Sequence, residues 1–180
     1  MGPNLERATQ EAESVREKYN SEGISPFPYE NVLRECSDLR ILSFDISSDN
    51  ISGATDYDKE SKIFTIYINS LKPKTRQHFT LAHELGHYFL HKEFIQNEEI
   101  LIDGDKNLDG ARTLFRLDEA QSNNLEIEAN NFAAALIMPK NLVIEAWERL
   151  RRVEDCAKIF NVSILAMAIR LEKLGLIKEE

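Results

Sequence analysis

Between Phe79 and Leu90 the chain can only be a buried helix, and that fixes much of what it can fold into. Phe79, Leu81, Ala82, Leu85, Tyr88, Phe89 and Leu90 place apolar groups on nearly every side of it. Yet His83, Glu84 and His87 lie within the same stretch, spaced H-E-x-x-H. Buried ionisable groups need partners, so the fold must bring some. Residues four apart share a helix face, about 6 Å apart along the axis. Two imidazoles so placed can bind one metal ion together. Glu84 follows the first histidine and can take a proton from water there as general base. Gly86 costs roughly 1 kcal/mol in a helix interior, and a close backbone approach would explain it. Two surface histidines on an ordinary helix is the plainer alternative, and the buried setting argues against it.

A mononuclear catalytic site usually has three protein ligands. His91 is the nearest candidate for the third, but it lies about 12 Å along the axis from His83. In the metzincin spacing, positions 90 and 93 would be Gly and His; here they are Leu90 and Glu93. The third ligand therefore comes from another segment.

The chain has 180 residues, 42% of them hydrophobic, enough to bury a substantial core. We expect a single domain over 1–180. An N-terminal helix would fill 1–24, a catalytic core 25–140 and a helical subregion 141–180. The net charge of −9 disfavours nucleic acid and anionic membranes as general partners. With no long apolar run and no signal-like start, the expected location is cytoplasmic. Cys36 and Cys156 lack a C-x-x-C context and are expected as free thiols. The neighbours of Cys36 lack the pattern of a deformylase cysteine ligand.

Leu5, Ala8, Ala12, Val15 and Tyr19 recur at helical spacing and predict a helix over 4–20. A second helix is expected over 29–37. Strands are expected at 39–46, 51–57 and 63–68, the last two joined as a hairpin by the polar run 58–62. Thr75 or a neighbour is a candidate cap for the histidine helix. Residues 97–124 look irregular, with a short strand at 112–117 and the character of a cleft rim. Asp103, Asp105, Asn107 and Asp109 imitate a calcium loop. Leu108 and Leu114 stand where its glycine and glutamate belong, so calcium is rejected.

Residues 126–135, E-I-E-A-N-N-F-A-A-A, form a second helix signal that Pro139 ends. Ala129 and Ala133 thin one side for close helix packing. Taken alone, the segment reads as an acidic first turn favoured by the helix dipole. After it, Asn141 is a candidate cap for a helix over 142–150. Residues 156–174 read as helix, turn and helix, with Ser163 as N-cap. The second helix there is apolar from Ile164 to Ile169 and offers few base-edge donors, which favours packing over DNA reading.

Together, residues 76–91 and 126–139 resemble the ImmA/IrrE family of bacterial and phage metallopeptidases. Residues 66–69 resemble the family's strand before the metal helix, and the likeness spans roughly 25–175. It implies a zincin-like α+β fold: a small antiparallel or mixed three-stranded sheet on the H-E-x-x-H helix, with the helix-turn-helix-like piece behind. It implies zinc, with manganese as an alternative, held by His83, His87 and a glutamate of the second motif, and Glu84 as the base. Glu126 and Glu128 point about 200° apart on a helix, so only one can face the metal. Glu126 shares its side with Asn130 and Ala133, and in the family the first glutamate is the less variable. Glu126 is therefore the expected ligand, with Asn130, His91 and Glu128 as candidates to orient the ligands. The implied activity is cleavage of a helix-turn-helix repressor of a mobile element or stress response. Two other classes compete with it. One is a regulator that binds a repressor or antitoxin through a metal-stabilised fold without cutting, and the other is a DNA-binding regulator.

Overall fold

The computed structural model describes residues 2–47, 51–97, 100–101 and 119–178. The fold is α+β. Helix α1 (Leu5–Tyr19) and the short α2 (Tyr29–Glu35) lead into strands β1 (Leu39–Phe44), β2 (Gly53–Asp58) and β3 (Ile63–Asn69). Then come α3 (Lys74–Leu90), α4 (Lys92–Asn97), the two-residue β4 (Ile100–Leu101), α5 (Glu119–Ile137), α6 (Lys140–Leu150), α7 (Val153–Phe160) and α8 (Ile164–Lys173). The sheet is mixed, in the order β1-β3-β2-β4. β2 and β3 form the expected antiparallel hairpin, and β1 joins β3 in parallel. β4 adds a short fourth strand beside β2, pairing Leu101 with Thr55.

The core forms where α3 passes between the sheet and α5. Phe64 and Ile66 from β3, Leu85 and Tyr88 from α3, and Phe132 and Leu136 from α5 are all buried. Helix α1 lies along α5 and buries Ala8, Ala12, Val15 and Tyr19, the stripe its spacing predicts. Gly86 is the point of closest approach: a Cβ there would stand 3.1 Å from Ala129 Cα and 3.2 Å from Ala129 O. The glycine and the thin alanine side of α5 thus meet, and that contact brings the two motifs together.

Several local expectations need adjusting. Pro73, not Thr75, precedes the first turn of α3, and Pro139, not Asn141, precedes that of α6. Proline's fixed φ suits a helix start, and its missing N–H would have no intrahelical partner there. Residues 119–124 are helical rather than irregular, because α5 extends two turns before the E-x-E motif. The calcium-like run and the strand expected at 112–117 lie outside the described residues. Ser163 caps α8 as expected, accepting from Ala166 N. Of the apolar run on α8, only part packs: Met167 and, beyond it, Leu171 are buried. Ile164, Leu165 and Ile169 are 54%, 69% and 44% exposed. Six consecutive residues cover a helix all round, so they cannot all face one neighbour.

Candidate metal centre

His83 and His87 project from one face of α3 toward α5, one turn apart and both buried. Glu126 projects from α5 to meet them. His83 Nε2 lies 3.1 Å from His87 Nε2 and 3.2 Å from Glu126 Oε2, and His87 Nε2 lies 3.3 Å from Glu126 Oε1. Donors about 2.0–2.1 Å from a tetrahedral ion stand roughly 3.3–3.4 Å apart. Two imidazoles and a carboxylate at these separations fit such an ion with little movement. His83, His87 and Glu126 are the one such group among the described residues.

The surroundings set how these donors point. His83 Nδ1 meets Asn130 Oδ1 at 3.2 Å. An amide oxygen accepts only, so His83 donates from Nδ1 and keeps the lone pair of Nε2 for the cluster. Burial opposes ionisation of Glu126, but hydrogen bonds and charge from His83 and His87 win, holding it well below the usual carboxylate range. Glu128 turns away, as a 200° separation requires, and its Oε2 meets His91 Nε2 at 3.0 Å. His91 is the C-cap of α3, just outside the helix, and its Nδ1 lies 3.1 Å from His87 Nδ1. Burial first, then the neighbouring His87, lower its pKa to about 4. The structure thus brings Asn130, His91 and Glu128 around the histidines and places none of them among the converging donors.

Glu84 is fully buried and faces the sheet, where its Oε2 accepts from Thr55 Oγ1 at 2.7 Å. β2 runs so close that a Cβ on Gly53 would stand 2.5 Å from Thr80 Cγ2 and 3.1 Å from Glu84 Oε1. Sequence reasoning missed Gly53 and Thr55. Their signal was two small residues at a two-residue interval on one strand face, which indicates something passing close beside it.

Comparison with known proteins follows the same lines. The family profile for the IrrE N-terminal-like domain, Peptidase_M78, matches residues 34–172. The chain is 29% identical over 147 residues to the metallopeptidase ImmA of Bacillus subtilis, covering 81% of this chain and 77% of that protein. It is 33% identical over 111 residues to the radiation response metalloprotease IrrE of Deinococcus radiodurans, 59% of this chain but only 30% of that one. A solved Mycobacterium tuberculosis transcriptional regulator superposes with a TM-score of 0.61 at 16% identity, over 93% of this chain and 48% of its own. That likeness speaks to the fold alone.

Proposed function

The chain belongs to the ImmA/IrrE metallopeptidase family, with its zincin-like α+β fold, and from that membership we propose a metal-dependent endopeptidase that cuts a regulatory protein. The single observation that carries the reading is the meeting of His83 Nε2, His87 Nε2 and the Glu126 carboxylate at 3.1–3.3 Å. Beside them, Glu84 is the next residue along the chain. In this reading His83, His87 and Glu126 hold the ion, zinc by preference for two imidazoles and a carboxylate, with manganese as the alternative. When bound, the ion makes water more acidic and polarises the scissile carbonyl.

The remaining steps fall to the protein. Glu84 takes the proton of the attacking water and returns it to the leaving amine. The Thr55 hydroxyl fixes the rotamer of Glu84 from β2. Asn130 holds the His83 ring so that Nε2 is the nitrogen turned to the ion. We infer a helix-turn-helix repressor of a mobile element or stress response as the substrate class, on the family resemblance. We infer a cytoplasmic location from two unpaired cysteines and from the absence, among the described residues, of a helix long and apolar enough to cross a membrane.

The test is Glu84→Gln in purified, metal-replete protein, assayed against repressors encoded beside it. The variant should retain its metal and lose cleavage by about 10²–10⁴-fold. Cleavage at the wild-type rate would sink the mechanism. If neither protein cuts but both bind a repressor, the non-catalytic regulator becomes the better reading.

A further inference from the structure

Behind His87, on the side away from Glu126, polar contacts run outward to the start of the chain. His87 Nδ1 meets His91 Nδ1 at 3.1 Å, and His91 Nε2 meets Glu128 Oε2 at 3.0 Å. The other oxygen, Glu128 Oε1, accepts from the backbone N–H of Asn4 at 2.6 Å. The direction of every proton follows from the carboxylate. Glu128 can only accept, so His91 carries its proton on Nε2. His91 then presents a lone pair at Nδ1, and His87 must donate to it from its own Nδ1. That leaves the lone pair of His87 on Nε2, the atom that faces His83 and Glu126.

The first turn of α1 is anchored to both helices of the site. Arg7 Nη2 donates to the carbonyl of Leu90, the last residue of α3, at 3.0 Å. From α5, Asn131 Nδ2 donates to Leu5 O at 2.9 Å and Thr9 Oγ1 at 2.8 Å. Asn4 itself is the N-cap of α1, its side chain accepting from Arg7 N. Its own N–H precedes the helix and is free to serve Glu128.

We propose that this first turn is a working part of the metal centre: the Asn4 N–H, Glu128 and His91 act in series as positioning groups that fix the tautomer and angle of His87. Docking of the N-terminal turn then sets how tightly the ion is held. The inference rests on His83, His87 and Glu126 being the ligands. If the Asn4 contact is lost, Glu128 keeps one anchor instead of two, and the His91 ring loses its fixed acceptor.

The experiment measures Zn²⁺ affinity of the full chain by competition with a chromophoric chelator at pH 7, with melting temperatures of the metal-free proteins alongside. His91→Phe should weaken zinc by about 10–100-fold, the usual cost of losing such an outer partner. Asn4→Pro removes only the N–H donor and the cap oxygen, and the Asn4 φ of −95° lies near what the ring allows. Asn4→Ala removes the cap oxygen and keeps the N–H. Asn4→Pro should weaken zinc several-fold, and Asn4→Ala, which keeps the N–H, should weaken it clearly less even if it melts earlier. In a His91→Phe background, Asn4→Pro should add nothing, because the series is already cut. Should Asn4→Pro not fold, Glu128→Gln replaces it. This change replaces one of the two accepting oxygens with an NH2 group that cannot accept, so either Asn4 N–H or His91 loses its partner and about tenfold weaker binding is expected. Glu126→Ala keeps the two readings apart. If it retains zinc, the ligand assignment fails. If it loses zinc while Asn4→Pro and Glu128→Gln match wild type, or while the Asn4→Pro loss adds in full to that of His91→Phe, the coupling is wrong and the assignment stands.

Discussion

Gly86→Ala sets two effects of opposite sign against each other, and the structure says which wins. Replacing a helix-interior glycine by alanine should stabilise by about 1 kcal/mol through backbone entropy. The new methyl group, however, would stand 3.1 Å from Ala129 Cα, 3.2 Å from Ala129 O and 3.2 Å from Phe132 Cδ1. Two of these are backbone atoms of α5, and Ala129 and Phe132 are fully buried, so no flexible side chain can yield. Overpacking of this kind costs about 1–3 kcal/mol. The net expectation is a loss of about 1 kcal/mol, or roughly 2–4 °C in melting temperature for a chain of this size. It should be measured in chelator so that metal binding does not enter. Relief requires α3 and α5 to part by a few tenths of an ångström. Glu126 sits on one helix and both histidines on the other, so Zn²⁺ affinity should fall as well. A variant about 1 kcal/mol more stable than wild type, with unchanged affinity, would refute the view that backbone contact at Gly86 sets the spacing of the donors.

Three further expectations follow from particular contacts. Thr55→Val keeps the shape of the side chain but removes the donor to Glu84; a hydrogen bond to a charged group is worth about 1.5–3 kcal/mol. Turnover should drop about tenfold or more, with metal content by elemental analysis unchanged. His78 is buried, its Nε2 finds no hydrogen-bond partner among the described residues, and burial lowers its pKa from 6.5 to about 4. The unfolded chain therefore holds the extra proton between those values. Stability is intact above about pH 6.5 and falls toward pH 4, by at most about 3 kcal/mol from this group. His78→Phe should flatten that part of the stability–pH curve, and an unchanged slope in urea titrations would contradict it. On α8, Leu171→Ala should cost about 2–5 kcal/mol, whereas Ile169→Ser should stay within about 0.5 kcal/mol. Equal losses in chemical denaturation would mean that the outward face is not free.

That His83 and His87 share one face of α3 was legible in the sequence alone, because H-E-x-x-H depends only on helical periodicity, and periodicity is a local property. That Glu126 and Glu128 point apart was also local, since two residues on one helix diverge by a fixed angle, and Gly86 announced a close approach before its partner was known. The three main strands, the hairpin and the Ser163 cap were legible for the same reason. Other features were decided only when distant segments met. Thr55 reaches Glu84 across 29 positions and Asn4 reaches Glu128 across 124, and no period in the chain records either pairing. His91 stands four residues after His87, so their contact follows from helical spacing, whereas the pairing of His91 with Glu128 on α5 was decided by packing. The run from Ile164 to Ile169 shows the limit from the other side. Its composition said apolar, but which side chains are buried was settled by the face of α8 that packs on its neighbours, chiefly α7. Residue type and spacing thus specify which groups can act, and packing specifies which distant groups, such as Thr55 and Asn4, complete their surroundings.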